Sequence, residues 1–392
     1  MENLIEKEHE VIYQTYQRFP VVADRAQGCI IYDSDGNEYL DCLAGIAVNA
    51  LGHSHPAILK AINEQASKYL HISNYFYQKP QIDLAEKLIK LSGMDKVFFC
   101  NSGTEATDGA MKLARKWGHD KGKIDIIGFS GGFHGRTYGA LSVMDKPNYK
   151  INMGPFLDNT NVLPLNQIEY LYENINSKTA AVILEFVQGE GGIAEPSPEF
   201  VEVLLELKNI HNFLIIADEV QCGTGRTGKF FGFEHFGVKP DIITTAKGMG
   251  GGLPLGSIIV TEELNSVWQK GNHGTTYGGN ALACATGLVV IDELEKGLLN
   301  QVSENGAYFK SKLEEIQINF PNQVKEVRGR GLMLGLLMNY ESKVIVDKLF
   351  EKKVITNAAS GYVLRIVPPL IICKNDIDLF IERLVKSLKE LE

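Results

Sequence analysis

The stretch FLIIADEVQCGTGRTGKF, residues 213–230, can be read in two ways that lead to different folds. Gly223 to Lys229 fills the first seven places of a phosphate-cradling loop, G-x-x-x-x-G-K-[ST]. The apolar run ending in Asp218 and Glu219 then imitates the acidic strand that holds magnesium in nucleotide hydrolases. Three details oppose that reading. The eighth place needs a hydroxyl for the metal, and Phe230 has none. The acidic strand runs directly into the glycine loop, which is the wrong order. The loop should also open a helix, yet TGKFFGFEHFG has neither helical spacing nor a capping residue. The other reading is a buried strand that delivers Asp218 to a site at the carboxyl edge of a sheet.

The flanking sequence repeats that design. From about residue 96, short apolar runs alternate with amphipathic segments: KVFFC (96–100), IDIIGF (124–129), AAVILEF (180–186), FLIIADE (213–219), DIITTAK (241–247) and SIIVT (257–261). Runs this uniformly apolar predict strands buried on both faces, as in a parallel sheet wrapped by helices. After KVFFC, the residues Ala106, Ala110, Met111, Leu113, Ala114 and Trp117 recur at helical spacing. SPEFVEVLLELKNIH predicts a second helix, with Ser197 as N-cap and Pro198 at its first position. The two ends of the chain differ. Asp33-Ser34-Asp35-Gly36 has the turn chemistry of a hairpin, and charged amphipathic helices surround EVRGRGLMLGLLM. The fold class is α/β, with a large domain over 46–290 and a smaller α+β domain built from 1–45 and 291–392.

Composition narrows the function. An apolar share of 44% and a charged share of 22% are ordinary for a globular protein. A net charge of -9, with no basic run, disfavours nucleic acid. The acidic start MENLIEKEHE lacks the order of a secretion signal, and no apolar run approaches the roughly 20 residues that span a bilayer. The six cysteines are scattered without a C-x-x-C pair, which predicts reduced, mostly buried thiols and a cytoplasmic location. His53 and His55 form an H-x-H with no neighbouring ligand, so no metal site is expected.

Several polar or glycine-rich clusters fall at strand ends, where ligands bind in such sheets. NSGTEA (101–106) opens a helix, so the N–H groups of Gly103 and Thr104 suit a phosphate, although any capped helix starts in this way. GGFHGRT (131–137) offers an aromatic ring, an imidazole and Arg136. AKGMGGG (246–252) places Lys247 after an apolar strand, where desolvation lowers the pKa of an amine and frees it as a nucleophile. Leu253 stands where a dinucleotide fingerprint needs its last glycine, which disfavours NAD. A phosphate cradle, an aromatic face, a buried Asp and a desolvated Lys together match pyridoxal 5'-phosphate. The Lys condenses with its aldehyde, and the Asp keeps its ring nitrogen protonated.

The chain resembles the class III (omega-amino acid) aminotransferases of fold type I and, within them, the acetylornithine aminotransferases. The resemblance rests on TYQRFPVV (15–22), YLDCLAGIAVNALGHSHP (39–56), NSGTEATDGAMKLAR (101–115), FHGRT (133–137), VQGEGG (187–192), ADEVQCGTGRTG (217–228), TTAKGMGGGLPLG (244–256), GTTYGGN (274–280) and LRIVPPL (364–370). It implies a mostly parallel seven-stranded sheet and a homodimer with shared sites. It also implies roles: Lys247 bonds to the cofactor and shuttles a proton, Asp218 pairs with the ring nitrogen, and Gln221 reaches the ring hydroxyl. Phe133 stacks on the ring, Gly103 and Thr104 bind the phosphate, and Thr276 completes that cradle from the partner subunit. Arg136 binds the donor's α-carboxylate, with Tyr16 and Thr275 nearby. Arg365 binds the α-carboxylate of 2-oxoglutarate, and Glu190 neutralises Arg365 while the donor is bound.

Two positions depart from the family pattern. Phe186 and Ala281 stand where the family usually has proline, and Phe186 could redirect the loop that carries Glu190. The implied reaction moves the terminal amine of N-acetylornithine to 2-oxoglutarate. Ile46 favours an acylated donor, because ornithine enzymes of this family carry an aromatic residue near that place. Succinylornithine, acetyllysine, ornithine and 4-aminobutyrate remain alternative donors. A nucleotide-binding protein built on GTGRTGKF is the alternative from a different class.

Overall fold

The apolar runs predicted as strands lie side by side in one sheet of a computed structural model, which describes residues 2–391. In spatial order the strands are Lys96–Cys100, Gly256–Val260, Ile242–Thr245, Leu214–Asp218, Thr179–Leu184, Asp125–Phe129 and Thr160–Leu163. Gly256–Val260 runs antiparallel to both neighbours, and the other adjacent pairs are parallel. Thr179–Leu184 and Leu214–Asp218 are buried at every position, as strands covered on both faces must be. The seventh strand, Thr160–Leu163, has no counterpart among the predicted runs. It sits at the sheet edge, where only Leu163 is fully buried, so TNVL never needed a continuous apolar signature.

The predicted helices form where their caps lie. Ser102 caps Gly103–Gly118 by accepting the Glu105 N–H, and the six apolar residues of its predicted face are all buried. Ser197 caps Pro198–His211 by accepting the Phe200 N–H at 3.1 Å.

The two ends of the chain meet in a second sheet. Ala23–Gln27, Ile30–Asp33 and Glu38–Asp41 form a meander, and Val354–Ile355 pairs parallel to Glu38–Asp41. The hairpin turn is held by Asp33, whose carboxylate accepts from the N–H of Asp35 (3.0 Å) and of Asn37 (2.8 Å). A third, antiparallel sheet contains Val324–Arg330, Met333–Met338, Val363–Ile366 and Asn357–Ala359.

The loop after Asp218 opens no long helix. Glu219 accepts the N–H groups of Gly232 (2.6 Å) and Phe233 (2.9 Å), closing the segment on itself. Burial pushes the Glu219 pKa up to about 8, against those bonds. A carboxyl turned inward in this way does not serve a magnesium ion beside a nucleotide. His53 pairs with Asp41 at 2.8 Å, and His55 immediately precedes the helix Pro56–Ala66. Five cysteines are buried and Cys373 is exposed, all of them unpaired. No helix among the described residues is long and apolar enough to cross a membrane.

Candidate active site

The carboxyl ends of four parallel strands and the turns that follow them converge on one cavity of about 440 Å³, whose walls include Gly103, Thr104, Phe133, Arg136, Asp218 and Lys247. Six of the residues selected from the sequence therefore share one space.

At one end lies the N-terminus of Gly103–Gly118. The first-turn N–H groups of a helix have no partner within it, and its dipole favours an anion there. A Cβ on Gly103 would lie 2.8 Å from Val220 Cγ1, so this backbone reaches the cavity wall only as glycine. Thr104 Oγ1 lies 2.8 Å from Thr137 Oγ1 and accepts the Thr137 N–H at 3.2 Å. That hydroxyl ties the helix to the Phe133–Thr137 loop. Gly135, at φ +134°, allows the approach, since a Cβ there would lie 2.1 Å from Thr104 Oγ1.

At the floor, Asp218 is 1% exposed. Its Oδ2 accepts from His134 Nδ1 at 2.7 Å and its Oδ1 from the Val220 N–H at 3.1 Å. Burial works to lower the His134 pKa, but the hydrogen bond and charge of Asp218, aided by Glu185, outweigh it and leave it raised. The imidazole was visible in FHGRT, but its partner was not, because the two residues lie 84 positions apart. Glu185 was also missed. It is buried, and it accepts the N–H of Phe133 (2.8 Å) and of Gly189 (3.1 Å). Burial, then the charge of Asp218, raises its pKa, and His134 opposes the shift.

Lys247 follows its strand with φ +45°, a left-handed conformation that is uncommon outside glycine and of the kind found at functional sites. Burial lowers its pKa, and the positive charge of Arg365 lowers it further, against Glu185, Glu190 and Asp218. A nucleophilic amine needs that direction of shift.

Beside this cavity, Arg365 is completely buried. Its Nε donates to Asn357 Oδ1 at 3.0 Å, and its Nη1 to Glu190 Oε1 at 2.5 Å and to Gln221 Oε1 at 3.2 Å. Its Nη2 has no partner among the described residues. Arg136 is exposed, with its guanidinium carbon 3.5 Å from the centre of the Tyr149 ring.

Four selected residues lie elsewhere in this chain. Gln221 engages Arg365 through its oxygen and is not among the residues lining this cavity. Tyr16 is 74% exposed and borders a groove lined by residues between 4 and 23. Phe19, three residues on, stacks on Phe350 with ring centres 5.1 Å apart. The Thr275 hydroxyl accepts from Asn101 Nδ2 at 3.1 Å, behind the cavity wall, and Thr276 is exposed outside it.

Neither departure from the family pattern disturbs the site. Phe186 is buried against Phe236, with ring centres 5.3 Å apart, and the following loop still delivers Glu190 to Arg365. Ala281 is the first residue of the helix Ala281–Glu293, which Asn280 caps. That is a position where alanine replaces proline without losing a hydrogen bond.

The donor set fits pyridoxal 5'-phosphate: a helix N-terminus for the phosphate, Phe133 for a ring face, a buried carboxylate on the floor and an amine of lowered pKa. The comparisons with known proteins agree. Residues 11–388 match the family described as aminotransferase class-III. An acetylornithine aminotransferase of Methanocaldococcus jannaschii is 45% identical, over 100% of this chain and 99% of that protein. One from Aquifex aeolicus is also 45% identical, over 97% of this chain and 99% of its own. Among solved structures, the ornithine aminotransferase of Toxoplasma gondii superposes with a TM-score of 0.94 at 29% identity, over 100% of this chain and 95% of that one. A second structure of that enzyme, with TM-score 0.93 and 30% identity over 99% of this chain and 94% of its own, is described with partial occupancy of pyridoxal phosphate at its active site. A family match over residues 11–388, with relatives 45% identical along nearly the whole chain, leaves one assignment: the chain belongs to the class-III aminotransferase family.

Proposed function

We propose that this enzyme transfers the terminal amine of N2-acetylornithine to 2-oxoglutarate, giving N-acetylglutamate 5-semialdehyde and glutamate, a step of arginine biosynthesis. The observation that carries the reading is the buried Arg365 paired with Glu190 beside Lys247. An ω-amine donor brings no charge near its reacting amine, whereas 2-oxoglutarate brings a carboxylate there. A guanidinium masked by a movable carboxylate serves both. Glu190 keeps part of its surface in solvent, so it can withdraw, and Arg365 Nη2 is already without a partner among the described residues.

Bound pyridoxal phosphate supplies an aldehyde that exchanges amines and an electron-withdrawing ring. The chain supplies the rest. Gly103 and Thr104 hold the phosphate, and Phe133 covers one face of the ring. Asp218, fixed by His134, keeps the ring nitrogen protonated. Lys247 Nζ, whose pKa burial lowers, would take a proton from the substrate carbon and return it to the cofactor. Arg136 has no carboxylate partner among the described residues and holds the donor's α-carboxylate, then the distal carboxylate of 2-oxoglutarate.

Likeness at 45% identity to enzymes named for acetylornithine supports that donor over ornithine, and the apolar, partly exposed Ile46 suits an acylated amine. Two further parts of the reading concern assembly and location. The enzyme is a homodimer, with Thr276 completing the partner's phosphate site; the exposed Tyr75, Tyr77 and Tyr277 fit a surface that a second copy covers. It is cytoplasmic, in keeping with six unpaired thiols. A donor panel with 2-oxoglutarate, scored by glutamate formed, tests the substrate. Acetylornithine should lead in kcat/KM, and ornithine in first place would reassign the donor. A protein without a yellow band that borohydride bleaches would remove the cofactor. Sedimentation of the holoenzyme as a monomer would remove the shared site.

A further inference from the structure

The segment GTGRTGK, which imitates a phosphate loop, has no part in the chemistry above. Its arginine nevertheless reaches across the molecule. Arg226 is 2% exposed and has no carboxylate partner in hydrogen-bond range among the described residues. Its Nη1 donates to two backbone carbonyls, Leu332 O at 3.1 Å and Pro368 O at 2.5 Å. The Leu332 N–H returns a bond to Arg226 O at 2.9 Å. Burial pulls the Arg226 pKa down to about 9, with the charge of Asp41 opposing, so it stays charged at neutral pH.

Those two carbonyls mark one place. Met333–Met338 pairs antiparallel with Val363–Ile366, in a register that sets Gly335 opposite Arg365 and Leu334 opposite Ile366. Leu332 and Pro368 continue that register just beyond the ladder. Pro368 has no N–H, so the ladder cannot extend through it. The strand also departs there, since the Val367 N–H bonds to Cys42 O and the Leu370 N–H to Ala50 O. Arg226 supplies the missing donor and holds the two strands together where they diverge. Gly331, at φ +53°, lets the two segments touch, because a Cβ there would lie 2.4 Å from the Thr227 carbonyl carbon.

We propose that Arg226 is a positioning residue for Arg365: it fixes the end of the strand that carries Arg365 to the loop that follows Asp218. This rests on the reading of Arg365 as the carboxylate site for 2-oxoglutarate. A guanidinium matched to both oxygens of a carboxylate tolerates little displacement. Loosening the strand end therefore weakens 2-oxoglutarate and leaves the acetylornithine half-reaction intact, because that step does not use Arg365.

The test is a double-mutant cycle on the full-length holoenzyme, reading each half-reaction by single-turnover cofactor absorbance. Arg226→Lys keeps the charge but offers a single flexible donor. It should raise the half-saturating 2-oxoglutarate concentration about tenfold and leave the acetylornithine half-reaction at wild-type values. In an Arg365→Ala background the same change should add nothing to the 2-oxoglutarate defect. Equal loss in both half-reactions, or full additivity with Arg365→Ala, overturns the proposal. So does failure of Arg226→Lys to fold or bind cofactor, which would make Arg226 a folding residue. If Arg365→Ala alone leaves 2-oxoglutarate unaffected, the underlying reading of Arg365 fails instead, and the proposal goes with it.

Discussion

Glu190→Gln isolates the charge of the Glu190–Arg365 pair while keeping its shape. Arg365 is 0% exposed and Glu190 is 24% exposed at the side chain, so solvent screens their 2.5 Å contact only in part. A charge-assisted hydrogen bond of this kind contributes about 1.5–3 kcal/mol. In the wild-type enzyme 2-oxoglutarate must displace Glu190 before it reaches Arg365, so that contact opposes its binding. In the donor half-reaction the same contact keeps an uncompensated guanidinium from facing the donor's methylene chain. Glutamine can still accept from Arg365 Nη1, but without the charge. The ratio of kcat/KM for 2-oxoglutarate to that for acetylornithine should therefore rise roughly 10- to 150-fold, at about 1.4 kcal/mol per factor of ten. Single-turnover absorbance of the bound cofactor reads the two half-reactions separately. Equal changes in both, or a ratio that falls, would refute the masking argument and leave Glu190 as a structural partner of Arg365.

Lys247→Ala should lower turnover by at least about 10²-fold, the usual contribution of a positioned proton carrier, while the protein still takes up cofactor through its phosphate and ring contacts. Turnover near the wild-type rate would remove Lys247 from the reaction. Asp218→Asn should bind cofactor but lose most activity in both half-reactions, since a neutral amide does not hold a protonated ring nitrogen; near-normal rates would refute that pairing. His134 gives a pH test. Its folded pKa lies above the unfolded value, so its pair with Asp218 stabilises fully below the unfolded pKa and the benefit is lost as pH rises through the folded one. The stability difference between wild-type apoprotein and His134→Gln should accordingly be larger at pH 6 than at pH 9, measured by urea denaturation. A difference independent of pH would mean that the histidine is neutral in the folded state.

The sequence by itself determined what depends on neighbours along the chain. Apolar runs long enough to be buried on both faces predicted six strands, NSGTEA and Ser197 marked helix starts, and Phe230 in place of a hydroxyl argued against the phosphate loop. Lys247, Asp218, Gly103 and Phe133 were legible as chemistry because each sits at the end of such a run. Only the tertiary structure decided pairings between residues distant in sequence. His134 reached Asp218, Glu185 tied the Phe133 loop to the Glu190 loop, and Gln221 turned to Arg365. Tyr16 carried no local mark of the groove it borders, which residues between 4 and 23 form only when folded. Nor did the edge strand Thr160–Leu163 stand out, since a half-exposed strand needs few apolar residues. Arg226 shows the same limit from the other side. Its motif was plain in the sequence, but what a buried guanidinium does depends on which backbone carbonyls the fold brings within 3 Å or so of it, and those belong to residues more than a hundred positions away.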